Sequence, residues 1–244
     1  MCVAAVAWDT HPDWLLVAVG NRDEYHDRPT APLAPWPDGS GVIAGKDLRG
    51  GGTWLGVSKA GRFALVTNYR VPEGPQLGRP TRGKLVTDLL EGREPEQVAR
   101  MNPFNVVHAD HGEAWFLTNH PATESRRLAA GIHGLSNGGF DVPWPKTVQL
   151  QAALGDWLAA GTREFEPLMT AMRAETPCPR LARPEDGPEP RFAPVFIRNE
   201  IYGTRCSTIV AIARDGRGAI HERNFSAQGA VTGDVRIGFR WPLS

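Results

Sequence analysis

Cysteine is scarce in this chain, with three residues, Cys2, Cys178 and Cys206, odd in number and far apart. They form no CxxC pair and no zinc-ligand spacing, so a disulfide framework is excluded and free thiols in a reducing compartment are expected. A charge surplus is missing too. Lys+Arg and Asp+Glu are 27 each, whereas a nucleic-acid module carries a clear basic excess. Lysine is rare beside arginine, 4 against 23, which reads as the imprint of an Arg- and Ala-rich genome. No uncharged apolar run reaches the ~20 residues that cross a bilayer. The N-terminal apolar stretch is broken by Asp9, His11 and Asp13 and has no basic start, unlike a signal peptide. HExxH, Walker and GxGxxG motifs are absent. These absences lead to the expectation of a cytoplasmic protein with no integral membrane segment and no nucleic-acid partner.

What is there is enough apolar residue, 41% of 244, to build a real core, and a single domain over 1–244 is expected. CVAAVAW and WLLVAVG, separated by the turn-forming DTHPD, predict a buried antiparallel pair, with NRDE where the second strand ends. GVIAG predicts a strand; TWLGVS and RFALVTNY predict a hairpin turning at Gly61. Leu85, Val86, Leu89 and Leu90 recur at helical spacing between Thr81 and Gly92. A short second helix is expected at PEQVAR, then strands at FNVVHAD, EAWFLTN and GIHGLSN. Two amphipathic helices follow, one on Leu150, Leu154, Trp157 and Leu158, the other on Phe165, Leu168, Met169 and Met172. The stretch at about 176–194 holds six prolines and predicts a long loop, either a lid or partner surface or an unstructured excursion. RCSTIVAIA and AIHERNF close the chain as a hairpin. Strands and helices in blocks favour an α+β protein with antiparallel sheets, stacked and covered by helices.

The chemistry-bearing candidates begin with Cys2. Removal of Met1 would place its thiol beside a free α-amine able to take the thiol proton; the plainer alternative is a small hydrophobe at a strand start. Arg22, Asp23 and Glu24 end the neighbouring strand, where an Arg can hold a thiolate and an acid can orient an ammonium. Asn68, Asn119 and Asn137 each end an apolar strand, where a side-chain amide can serve an oxyanion or simply a turn. Arg205 precedes a strand and is a second candidate cation. RGGGTWLG offers successive amides for an anion nest, or a plain turn. The seven histidines show no ligand spacing.

The ordered set MC, NRDE, GGTWLG, FALVTNYR, TRGKLV, FNVV, GLSNG with PWPK, YGTRCST and HERNF, from residue 1 to about 225, resembles the NRDE-motif family, also called the transport and Golgi organisation protein 2 family. The resemblance implies a fold akin to the N-terminal nucleophile hydrolases, a four-layer αββα sandwich of two stacked antiparallel sheets flanked by helices. The penicillin V acylase and bile salt hydrolase group is similar in its Met-Cys start. By that similarity Cys2 would attack an amide carbonyl, Asp23 would hold its α-amine, Arg22 would steady the thiolate, and Asn137, Asn68 or both would serve the oxyanion with Arg205 nearby. Those acylases separate the Arg and Asp by two residues, whereas Arg22 and Asp23 are adjacent, so Glu24 is an alternative for the acidic role.

The family is associated with haem trafficking and with acyl-CoA and lipid metabolism. Two expectations therefore stand side by side. One is a Cys2-dependent hydrolase of a linear non-peptide amide, requiring no cofactor. The other is a carrier of haem or acyl-CoA in the same cleft.

Overall fold

In the computed structural model, residues 2–110, 112–177 and 192–242 are described. Cys178 and most of the proline-rich stretch lie outside them. The described residues form thirteen strands and three α-helices. The first strands, β1 (Val3–Trp8) and β2 (Trp14–Tyr25), pair antiparallel with Val3 opposite Asn21 and Trp8 opposite Leu16. NRDE falls at the end of the second strand, as expected, and is part of it, because β2 runs through it to Tyr25.

β3 (Thr30–Pro35), β4 (Val42–Asp47), β5 (Leu55–Ser58), β6 (Arg62–Asn68), β7 (Phe104–Asp110), β8 (Glu113–Thr118) and β9 (Glu124–Arg127) form a seven-stranded antiparallel meander in chain order. The other sheet gathers distant segments, β10 (Gly131–Leu135), β11 (Tyr202–Ala213), β12 (Arg217–Phe225) and β13 (Val231–Arg240), around β1 and β2. Its order is β10-β1-β2-β11-β12-β13.

Between the strands lie α1 (Arg82–Glu91), α2 (Pro145–Ala159) and the short α3 (Glu166–Ala171). α1 has the predicted ends: the Thr81 hydroxyl accepts from the Lys84 amide, and Gly92 caps the other end at φ 72°. PEQVAR yields only a 3-10 turn at Val98–Arg100.

Side-chain alternation settles the layers. In the six-stranded sheet Val3, Ala5, Ala7, Val17 and Val19 form one apolar cluster with Leu150, Leu154, Trp157 and Leu168 of α2 and α3. The intervening residues Ala4, Val6, Trp8, Leu16 and Ala18 join the cluster of the seven-stranded sheet. On that second sheet a Cβ at Gly45 would meet Glu222 of β12, while one at Gly56 would meet Ala44 and Leu90 of α1. Gly45 and Ala44 are adjacent on one strand, so the two contacts lie on opposite faces. The order is α2/α3, six-stranded sheet, seven-stranded sheet, α1, an α+β αββα sandwich. Among the described residues no helix is long and apolar enough to cross a membrane.

Three strands lie beyond the sequence expectation. β3 carries prolines and β9 is exposed throughout, and both are edge strands of the meander, the place where prolines and solvated residues are tolerated. β13 is the exposed edge of the other sheet.

Candidate active site

The register of three strands assembles the centre of the site. Val3 pairs with Asn21, so one step further along the antiparallel pair Cys2 stands opposite Arg22. Arg22 in turn pairs with Cys206, and Cys206 with Asn224. These four residues make one row on the face turned toward the second sheet. A β-bulge between Thr204 and Cys206 leaves Arg205 as the extra residue of β11 and re-aims the side chains on either side of it. Asp23 accordingly pairs with Thr204 and points to the opposite face, where its Oδ1 accepts a hydrogen bond of 2.7 Å from the Thr204 hydroxyl.

Cys2, Arg22, Asp23, Asn68 and Arg205 border one cavity of about 360 Å³, together with Glu24, Cys206 and Glu222 and with segments 50–54 and 75–83. Arg22 is held at 3.4 Å from Asp47 and 3.7 Å from Glu24 through Nη2, and its buried Nη1 has no hydrogen-bond partner among the described residues. Cys2 is 7% exposed. Burial pushes its thiol above the ordinary value and the Asp23 charge adds to this; the chain's α-amine, then the Asp23 backbone amide and the Arg22 guanidinium, act against it. Burial thus favours the thiol form, against nearby groups that favour the thiolate. Burial likewise raises Asp23, opposed by Lys146, the Thr204 hydrogen bond and Arg22. Cys206 is raised well above the usual thiol value, by burial and then by Glu222.

The asparagines divide. Asn68 borders the cavity. Asn137 is not among the lining residues; its Nδ2 donates to the Asn68 carbonyl at 2.6 Å, while the neighbouring Ser136 hydroxyl donates to the Cys2 carbonyl at 3.0 Å. Asn119 is a staple, accepting from the Phe104 amide and donating to the Val98 and Met101 carbonyls. Arg205 donates through Nη1 to the carbonyls of Tyr25, His26 and Arg28, clamping the turn after β2. The glycine run is a turn rather than a vacant nest, because the Arg49 and Gly50 amides already donate to the Asp47 carboxylate. Gly52 is required there: a Cβ on it would lie 2.2 Å from the Gly83 backbone of α1.

Sequence reasoning missed Lys146, Arg82 and Glu222. Lys146 is fully buried in the first turn of α2, and its signal was its place at the head of the Leu150, Leu154, Leu158 stripe, four residues apart. Arg82, a cavity residue, is lowered by burial and pulled back by Cys2 and Glu24. Glu222 accepts from the Leu33 amide at 2.8 Å and is raised by burial. No group of three or more His, Cys, Asp or Glu among the described residues is placed to hold a metal ion.

Comparison with known proteins places these residues in context. A family model described as "Transport and Golgi organisation 2" matches residues 1–227. The Transport and Golgi organization protein 2 homologs of Bos taurus and Homo sapiens are 29% and 28% identical to the chain, each aligned over 92% of it and 93% of the relative. Among solved structures, a Caenorhabditis elegans N-acylethanolamine-hydrolyzing acid amidase ortholog aligns with TM-score 0.49 and 12% identity over 85% of this chain and 92% of that one. A mutant conjugated bile acid hydrolase from Clostridium perfringens aligns with TM-score 0.48 and 9% identity over 100% and 98%.

Proposed function

The chain belongs to the Transport and Golgi organisation 2 family, and on that premise we propose that it is a hydrolase of a linear, non-peptide amide with Cys2 as nucleophile. The observation that carries the reading is the row Cys2–Arg22–Cys206 at the wall of a cavity. Removal of Met1 frees the Cys2 α-amine, which takes the thiol proton, and Asp23 holds the ammonium so formed. The thiolate adds to the substrate carbonyl, an S–C bond forms and the C–N bond breaks. The leaving amine departs with the proton from the ammonium. Water then adds to the thioester, the S–C bond breaks, and acid and thiol are restored. Arg22 offsets the charge on sulfur; Asn68 stands at the cavity wall where an oxyanion donor is needed. No cofactor enters.

Six cationic residues (Arg22, Arg28, Lys46, Arg79, Arg82 and Arg205) border the cavity against four anionic ones, of which Asp23 turns its carboxylate to the rear face, so the favoured substrate carries a negative group. The same excess favours a second reading, reversible carriage of an acyl-CoA without turnover. Haem suits these walls less well, since Trp54 is the one aromatic side chain among the described lining residues.

The test is turnover of a panel of anionic N-acyl amides together with the intact mass of the protein. We expect loss of Met1, and a Cys2→Ala protein slower by on the order of a thousandfold or more. A confirmed substrate turned over equally by Cys2→Ala removes the hydrolase reading. Binding of acyl-CoA by a protein that retains Met1 and turns over none of the panel establishes the carrier reading instead.

A further inference from the structure

Lys146 is an anomaly that the catalytic roles above do not use. It is 0% exposed, and its Nζ has no hydrogen-bond partner among the described residues. A leucine or methionine would continue the stripe of Leu150, Leu154 and Leu158 at no electrostatic cost, whereas an ammonium without a partner is expensive to bury. What offsets it lies ahead of the helix. α2 packs on β1 and β10, behind the six-stranded sheet, and the Asp23 side chain points to that same rear face from β2. Burial pushes the Lys146 ammonium below its ordinary value, and the charges of the Asp23 carboxylate and of Cys2 act against that shift, favouring the protonated form.

We propose that Lys146 is a positioning residue of the Cys2 site: from the rear of the sheet its ammonium adds to the groups that balance the Asp23 carboxylate, so that the Asp23 charge weighs less against the Cys2 thiolate. Lys146 touches no substrate and takes no covalent part. The charged and titratable groups around Cys2 are then the chain's own α-amine, Asp23 and Arg22 from β2, Cys206 from β11, Arg82 from α1 and Lys146 from α2. Two cations at front and side serve the sulfur, and one at the rear serves the carboxylate.

The inference rests on Cys2 being the reactive thiol, but its test needs no turnover. The rate of Cys2 alkylation by iodoacetamide is followed against pH on the purified full-length protein, read as mass gain on the N-terminal peptide ending at Arg22. Removing a nearby positive charge disfavours the thiolate, so Lys146→Met moves the inflexion upward and slows alkylation at neutral pH about tenfold. An inflexion unchanged in a folded Lys146→Met protein overturns the proposal. Lys146→Arg gives a second arm, because arginine keeps its charge at every accessible pH. We expect its inflexion to match the wild type. A fall of about one pH unit in Lys146→Arg would mean that Lys146 carries no charge in the wild type, and would also overturn the proposal. Failure of the amide panel with a shifted inflexion in Lys146→Met refutes the hydrolase and leaves the role of Lys146 standing.

Discussion

On one face of the six-stranded sheet, the row Val6–Ala18–Val210–Ile220 and the row Cys2–Arg22–Cys206–Asn224 lie four residues apart along the same strands. The first is wholly apolar and buried; the second holds a guanidinium between two thiols. Between them runs Ala4–Gly20–Thr208–Glu222, where side chains shrink and polarity begins. The difference follows from what lies opposite. Over the apolar row the second sheet closes, and side chains such as Leu65 and Phe63 fill the gap. Over the polar row segments 50–54 and 75–83 border an open cavity, and water or ligand solvates what an apolar wall would not. One pleated face thus serves as core at one end and cavity wall at the other, with no change of secondary structure.

The strongest way to break that contrast is to put a charge into the apolar row. Val210→Asp buries a carboxylate at a position 0% exposed with no cation in its row, and should cost more than about 4 kcal/mol of stability. Circular dichroism of the purified protein would reveal it as a largely unfolded chain. Leu16→Ala, 1% exposed in the adjoining apolar row, should cost about 2–5 kcal/mol in urea unfolding, with Cys2 alkylation in the folded protein unchanged. At the polar end the effects pass from stability to chemistry. Arg22→Gln removes the guanidinium that favours the thiolate, so alkylation of Cys2 at neutral pH should slow by about tenfold.

The mildest effect belongs to Glu222. Burial raises its carboxyl in the folded protein, so between the ordinary glutamate value and the raised one the folded chain binds more protons than the unfolded chain. Stability then declines as pH rises through that window. Glu222→Gln should lack this part of the slope when urea midpoints are compared from pH 4 to 8. An identical slope in both proteins would show that Glu222 titrates in the fold as it does in the unfolded chain.

Local signals carried the fold further than the site. The Thr81 cap, the Gly92 stop, the hairpin at Gly61 and the alternation in CVAAVAW were all readable, because each is decided within a few residues. Edge strands were not: β9 buries nothing, and the prolines of β3 argue against a strand unless its edge position is known. NRDE and the Met-Cys start meet at one end of the sheet beside the cavity, whereas of the three Asn-ended strands Asn68 alone borders it. What stayed hidden was pairing across more than 170 residues. The bulge at Arg205 decides that Cys206 rather than Thr204 stands beside Arg22, and no local pattern encodes it. Lys146 was hidden for another reason. A lysine in an amphipathic helix is ordinarily solvated, and only its phase with Leu150 and Leu154 sets it on the buried stripe.

Ser136 and Asn137 are neighbours in the chain, yet one holds the Cys2 carbonyl in the first sheet and the other the Asn68 carbonyl at the end of β6 in the second. Two successive residues therefore act as a spacer bar between the two walls of the cavity. The Arg70 amide donates to the Asn137 carbonyl as well, so Cys2 and Asn68, cavity residues on different sheets, are tied to one dipeptide, and a displacement of either sheet at this end is felt by the other.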